Sequence, residues 1–113
     1  MTDRLPEPQV IGIKNIQKSF DDYQNKAFAQ RTTSFFALEL CGECGELANL
    51  EKKQWRDPQR EINFEDFEQE AADVFIALMN YCNTKGIHLE DAVAKKLVHI
   101  ENRRLAGSMG KHK

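Results

Sequence analysis

Apolar residues recur at every third or fourth position in four separate segments of this chain. In the first segment, Ile13, Ile16, Phe20 and Tyr23 follow this spacing. A period near 3.6 residues is typical of an amphipathic α-helix that buries one face. The sequence shows no internal repeat and no convincing strand pattern, so we predict an all-α fold, a bundle of four helices. The predicted helices span Ile13–Arg31, Phe35–Lys53, Phe64–Lys85 and Leu89–Arg104.

Local signals predict where these helices begin and end. Asn63 precedes the third helix as a candidate N-cap, and Gly86 follows it as a C-terminal stop. The polar run Thr32–Ser34 would end the first helix and cap the second. The charged segment 54–63 contains a proline and predicts a loop.

Acidic residues lie beside the apolar stripes of the second and third helices. Glu39, Glu43 and Glu46 form a row on the second helix, and Glu70 and Asp73 are three positions apart on the third. Side chains three or four positions apart share a helix face. Packing the two apolar faces together therefore brings four of these carboxylates close, where like charges repel. Oxygen-only ligands suit Mg²⁺ or Mn²⁺, so we predict a metal site there.

A C-x-x-C pair, Cys41 and Cys44, is interleaved with these glutamates. A structural zinc site needs four Cys or His ligands, and Cys82 and the three histidines show no matching pair spacing. The redox form of the motif follows a strand, whereas these cysteines are in mid-helix. We therefore predict that Cys41 and Cys44 are small apolar core residues. Gly42 and Gly45 in the same helix suggest close approach by another backbone.

Length and charge narrow the class of protein. The 113 residues predict one domain, over residues 13–105, with flexible tails at 1–12 and 106–113. A net charge of -2 argues against a protein that coats nucleic acid. Three cysteines form no disulfide framework, and we see no signal peptide and no apolar run long enough for a membrane span. We therefore expect a cytoplasmic protein.

The spacing of the carboxylates resembles that of a known enzyme family. The segment ECGEL at 43–47 is followed at a limited distance by EAADV at 70–74, and GIHLEDA follows the third helix. This E-x-x-E and E-x-x-D pattern is similar to the MazG-like branch of the all-α nucleoside triphosphate pyrophosphohydrolases, over about residues 15–104. The resemblance implies a MazG-type fold. It also implies Mg²⁺-dependent cleavage of the α–β bond of a (d)NTP to (d)NMP and pyrophosphate, with Mn²⁺ as a substitute.

The resemblance also implies catalytic roles for the acidic residues. Many members carry a glutamate where this chain has Gly42, and Glu39, one turn before Glu43, would take its electrostatic role. Glu39 would then be an outer-shell ligand or the base that orients the attacking water. The implied metal ligands are Glu43, Glu46, Glu70 and Asp73.

Four further residues are candidates for substrate binding. Lys53 lies two turns after Glu46 and would meet a phosphate, unless it is only an exposed lysine. Related pyrophosphohydrolases have a tryptophan near the position of Trp55 in their sequences, and that tryptophan lines the base pocket. The alternative is that Trp55 covers the core as a lid. Lys96 and Arg103 match basic positions of the family and would hold phosphates. The alternative is that they are solvated residues at a helix end, where the helix dipole favours positive charge.

The resemblance further implies an oligomer, because members are dimers or dimers of dimers with the nucleotide near the interface. Phe35 and Phe36 stand side by side, and the apolar content of these helices cannot all face one small core. We therefore expect a homodimer or a homotetramer. Tyr23 and Gln24 are expected to pack rather than to contact the sugar or base.

Other functions remain alternatives at this point. One is a dNTPase of the same chemistry with narrow specificity for dCTP, dUTP or a purine dNTP such as dGTP. A second is a non-enzymatic helical interaction module whose acidic edge binds a basic partner. A third is a zinc or redox protein that uses Cys41 and Cys44. Mg²⁺-dependent release of pyrophosphate would support the enzyme, and stoichiometric zinc would support the zinc protein. Absence of both would favour the interaction module.

Overall fold

The computed structural model describes residues 11–107, and these residues form four α-helices and no strand. The all-α prediction is thereby confirmed. The predicted flexible tails fall mainly on residues 1–10 and 108–113, which lie outside the described residues. No helix in the described part is long and apolar enough to cross a bilayer. The helices are α1 (Ile13–Ala27), α2 (Thr33–Arg56), α3 (Phe64–Lys85) and α4 (Leu89–Leu105).

The predicted caps of α2 and α3 are confirmed. The Thr32 hydroxyl accepts a hydrogen bond from the Phe35 N–H at 3.1 Å, and the Asn63 side-chain oxygen accepts one from the Glu65 N–H at 3.1 Å. Gly86 ends α3 in the left-handed conformation, with φ at 81°. Glycine adopts that φ far more readily than other residues, and a glycine therefore predicts the end of a helix.

Two helix boundaries differ from the prediction by more than two residues. α1 ends at Ala27 rather than Arg31, because Phe28 takes an extended backbone and packs its ring edge-on against Tyr23. No glycine or proline marks that end in the sequence. α2 continues through Arg56 into the predicted loop, and the side chain of Gln54 ties the loop back to the helix by a 3.0 Å bond to the Arg60 carbonyl.

The pairing of α2 with α3 is the main packing interaction of the chain. The apolar residues buried there and along α3 are few, so the core is small. Most positions of the predicted apolar stripes, Leu40 and Val74 among them, are only partly buried. The fully buried apolar residues are Phe36, Ala77, Met79 and Cys82.

A buried glutamine joins α1 to the rest of the fold. Gln17, only 8% exposed, donates from Nε2 to the Asn83 side chain at 3.0 Å and to the Ile87 carbonyl at 2.8 Å. Its Oε1 accepts a bond from the Leu89 N–H at 3.1 Å. The sequence pattern placed Ile16 on the buried face instead, and Ile16 is exposed. Gln17 takes the buried position because its side chain hydrogen-bonds to Asn83 of α3 and to the start of α4.

The helices α1 and α4 cap each other. Gly12, the N-cap residue of α1, has no side chain that could cap the helix. His88, the N-cap residue of α4, makes no side-chain capping bond. Gln17 of α1 instead accepts from the first N–H of α4, and Glu90 of α4 accepts from the Lys14 N–H of α1 at 3.0 Å. Unpaired N–H groups at a helix start need an acceptor, so this exchange fixes the two helices against one another.

Replacing Gln17 by leucine should destabilise the fold by about 1–3 kcal/mol, because the Leu89 N–H and the Ile87 carbonyl lose their partner. The midpoint of urea unfolding measures the change. Gln59, an exposed glutamine in the α2–α3 connection, is the matched control. Its replacement by leucine should alter stability by less than about 0.5 kcal/mol. Equal midpoints for the two variants would contradict the role given to Gln17.

Candidate functional site

The α2–α3 pairing brings the predicted acidic residues together. Oxygen atoms of Glu43 and Glu46 on α2 and of Glu70 on α3 all lie within 4.8 Å of one another. Each pair is three residues apart or directly across the helix contact, so the convergence follows from helix periodicity. We call Glu43, Glu46, Glu70 and Asp73 the carboxylate cluster.

Electrostatic repulsion within the cluster is visible in the acid–base properties of two members. Partial desolvation, followed by the charges of Glu46, Asp73 and Glu70, raises the pKa of Glu43 above its usual value. Desolvation and the charges of Glu46 and Asp73 likewise raise the pKa of Glu70. One oxygen of Glu43, Oε2, is shielded from solvent and has no hydrogen-bond partner among the described residues. A cation would relieve both the repulsion and this unpaired oxygen.

Asp73 and Glu39 differ in their relation to this centre. The side chain of Asp73 is exposed on α3 and stands outside the group of oxygens that converge within 4.8 Å, although its charge acts on both Glu43 and Glu70. Glu39 is exposed on α2, one turn before Glu43, and stands outside the group of converging oxygens. Its position allows contact with a water at the edge of the cluster rather than with a central ion.

Lys53 lines an open cleft that adjoins the cluster. This cleft has a volume of about 360 Å³ and also includes Glu46 and Glu70 among its lining residues. Among the residues that the structure describes, Lys53 is the one cation that lines it. A positive side chain beside the carboxylates suits an anionic group that the cluster itself would repel.

The same cleft includes an acidic residue that the sequence analysis missed. Asp66 lies one turn before Glu70 on α3, and its charge adds to the rise in the pKa of Glu70. Its i,i+4 spacing from Glu70 was the available signal. Asp66 is in the first turn of α3, where the helix dipole makes acidic residues common, so its presence there did not indicate a site residue.

The other predicted substrate-binding residues lie apart from this cleft within one chain. Trp55 is 76% exposed near the end of α2, so the alternative of a core lid is wrong. Lys96 and Arg103 are on α4, whose main packing partner is α1, and neither lines the cleft beside the cluster. Within the described chain, none of these three residues is therefore among those that line the cleft beside the cluster.

The prediction that Cys41 and Cys44 fill the core is wrong, because both are exposed on α2. Gly42 and Gly45 also face open space, with no atom of the described chain within 4 Å of a side chain built there. Helix α2 thus has a small-residue face opposite its packed face. The residues of this outer face are Leu38, Cys41, Gly42 and Gly45.

Glu70→Gln should raise the free energy of unfolding of the metal-free protein at pH 7. A carboxyl with a raised pKa in the folded state stabilises the fold below its unfolded pKa, near 4.5, and loses that contribution as pH rises through the folded pKa. The difference between variant and wild type should therefore disappear as pH falls towards 4. Thermal unfolding followed from pH 4 to 8 measures it.

The matched control for this change is Glu68→Gln, an exposed glutamate on the same helix. It should leave the pH profile of the melting temperature unchanged. Mg²⁺ should raise the melting temperature of the wild type and of this control more than that of Glu70→Gln. A Glu70→Gln variant that is less stable than wild type at pH 7 without metal would contradict the repulsion.

Comparison with known proteins identified no relative of this chain. No family model, no curated protein and no solved structure matches the chain. The likeness in motif spacing thus stays a prediction, and the functional argument depends on the convergence of the carboxylates.

Proposed function

We propose that this chain is a Mg²⁺-dependent nucleoside triphosphate pyrophosphohydrolase of the MazG-like type. It would cleave the α–β bond of (d)NTPs to (d)NMP and pyrophosphate and thereby control the nucleotide pool. The observation that carries the proposal is the convergence of the Glu43, Glu46 and Glu70 oxygens within 4.8 Å. A surface row of solvated glutamates would have no reason to meet acidic residues of a neighbouring helix in this way.

The donor set fits a hard divalent cation. Opposite ligands of Mg²⁺ are about 4.2 Å apart, so small side-chain rotations bring these oxygens within bonding range. All candidate ligands are carboxylates, and the shielded Oε2 of Glu43 has no described partner that would have to be displaced. A bound Mg²⁺ offsets the carboxylate charge, polarises the phosphate oxygens and lowers the pKa of a nearby water.

The residues around the cluster then divide the work of hydrolysis. Glu43, Glu46, Glu70 and Asp73 would hold the metal, whose charge would offset the repulsion between these carboxylates and the phosphates. Glu39 orients a water at the edge of the cluster. It accepts the proton that this water loses as the water oxygen bonds to the α-phosphorus. The bridging oxygen of the α–β bond leaves with the pyrophosphate, and Lys53 in the adjoining cleft offsets the charge that develops there.

Glu43→Gln or Asp73→Asn should reduce the rate of pyrophosphate release by at least about 100-fold, since losing a ligand should exceed the about 10- to 100-fold cost of losing an outer-shell partner. The helical circular dichroism should stay as in the wild type. The assay is pyrophosphate release from the eight common nucleotides with Mg²⁺.

Two controls accompany this experiment. Glu51→Gln changes an exposed glutamate of the same helix, and the double change Cys41→Ala with Cys44→Ala removes the competing motif. Both should retain hydrolysis. Full activity of Glu43→Gln, or loss of activity in the cysteine variant with an unchanged melting temperature, would reject the assignment.

We also propose that the active form is an oligomer, a homodimer or a dimer of dimers. The described chain leaves large apolar side chains in contact with solvent, with Leu38 at 76% and Phe64 at 72% exposure. Its radius of gyration is 17.6 Å, whereas a compact domain of this length has about 13 Å. Close packing of the outer face of α2 against a second copy would use the open space beside Gly42 and Gly45.

Leu38→Asp tests this association, because it puts a charge on the outer face of α2 without removing any buried contact within the chain. Sedimentation velocity should show a wild-type dimer or tetramer and a variant shifted towards the monomer. Asn15→Asp, at an exposed position of α1, is the control and should sediment as the wild type does. A monomeric wild type at micromolar concentration would contradict the oligomer but leave the carboxylate assignment in place.

A further inference from the structure

A second polar cleft lies between α1, the α1–α2 connection and α3. Its volume is about 230 Å³, and the ring of Phe36 and the side chains of Asp21 and Arg31 are among its walls. Most of the lining is neutral and able to form hydrogen bonds. The amide and hydroxyl side chains that contribute are Gln24, Asn25, Gln30, Asn80, Asn83 and Thr84. We call it the amide cleft.

The amide cleft lies in line with the carboxylate cluster along the same helix contact. Phe36 precedes Glu43 by seven residues on α2, and Asn80 follows Asp73 by seven residues on α3. Seven residues are almost two helical turns, so each pair lies on one side of its helix with an axial separation of about 10 Å. The amide cleft is therefore within reach of a nucleotide whose anionic end lies at the cluster, on the side of the cluster away from the Lys53 cleft.

Two of the amide groups have hydrogen-bonding capacity left. Asn83 is occupied, because its Oδ1 accepts from Gln17 and its Nδ2 donates to the Gln17 carbonyl. Asn80, which is 6% exposed, makes one side-chain bond, a 3.4 Å donation from Nδ2 to the Gln24 Oε1. Within the described part of the chain, neither the Asn80 Oδ1 acceptor nor the Gln24 Nε2 donor has a partner. A buried amide with an unused acceptor is the kind of group that a polar ligand satisfies.

We infer that the amide cleft binds the nucleobase of the triphosphate whose phosphates lie at the carboxylate cluster, with Asn80 and Gln24 hydrogen-bonding the edge of the base. This inference rests on the proposed function. Neutral amides suit an uncharged ring with donors and acceptors on its edge, whereas the opposite charges of Asp21 and Arg31 at the walls leave the cleft without the net positive charge that a phosphate would need. The Phe36 ring offers an apolar wall to the base.

This assignment differs from one based on Trp55. Trp55 follows Glu43 by twelve residues, so it lies at the opposite end of α2 from Phe36. Within one chain, a base cannot contact both ends while its phosphates stay at the cluster. Selection among bases would then depend on hydrogen bonds to two amides, and not on stacking that accepts any ring.

The test compares kcat/KM for the nucleoside triphosphates of adenine, guanine, cytosine and uracil, with Mg²⁺, in matched variants. Gln24→Ala removes a partly exposed amide from α1 and should change the ratio between best and worst base roughly 3- to 10-fold, chiefly through KM. Asn80→Ser should do the same if it folds. Gln59→Ala is the glutamine control, and Trp55→Ala tests the competing site.

The possible outcomes separate the two proposals. A changed base ratio in Gln24→Ala, with Gln59→Ala and Trp55→Ala keeping the wild-type ratio, supports the amide cleft. An unchanged ratio, an equal loss for all four bases, or a changed ratio confined to Trp55→Ala overturns it while hydrolysis still upholds the pyrophosphohydrolase. Absence of Mg²⁺-dependent hydrolysis of every nucleotide by the wild type would overturn both.

Discussion

Repulsion between carboxylates at the α2–α3 contact is the constraint around which this chain is organised. The register in which the apolar faces of these two helices pack brings oxygens of Glu43, Glu46 and Glu70 within 4.8 Å of each other. Folding therefore works against these charges, and the raised pKa values of Glu43 and Glu70 record that cost. A sequence under selection for stability alone would place neutral residues there, so the retained charges indicate a use for them.

The rest of the structure supports this centre with hydrogen bonds more than with apolar burial. α1 and α4 exchange caps through Gln17 and Glu90, and Gln17 also satisfies the Ile87 carbonyl at the end of α3. Such bonds have strict geometry, so α1 is held in one orientation relative to α3. That orientation is what forms the amide cleft beside Asn80, two turns from the carboxylates.

The sequence predicted those parts of the fold that local chemistry determines. Gly86 and Asn63 have the expected conformations, and the E-x-x-E pair meets Glu70 of the E-x-x-D pair because helix periodicity and one helix contact suffice to bring these three residues together. The end of α1 was missed because Phe28 leaves the helix with a ring contact to Tyr23, five residues earlier, and no glycine or proline marks the position. Gln17 was missed for a related reason, since a glutamine inside an apolar pattern becomes buried only when partners from two other helices are in place.

The exposed outer face of α2 has the same origin as the errors about Cys41 and Cys44. Small residues in a helix predict close packing, but periodicity does not say whether the neighbour is in the same chain or in another. With few buried apolar residues and a repulsive cluster, the described chain has little in its own structure to stabilise it. Any species that binds only the folded chain, whether a divalent cation or a second copy, stabilises it by mass action. Metal binding at the inner side of α2 and association at its outer side would therefore reinforce one another through the stability of a single helix pair.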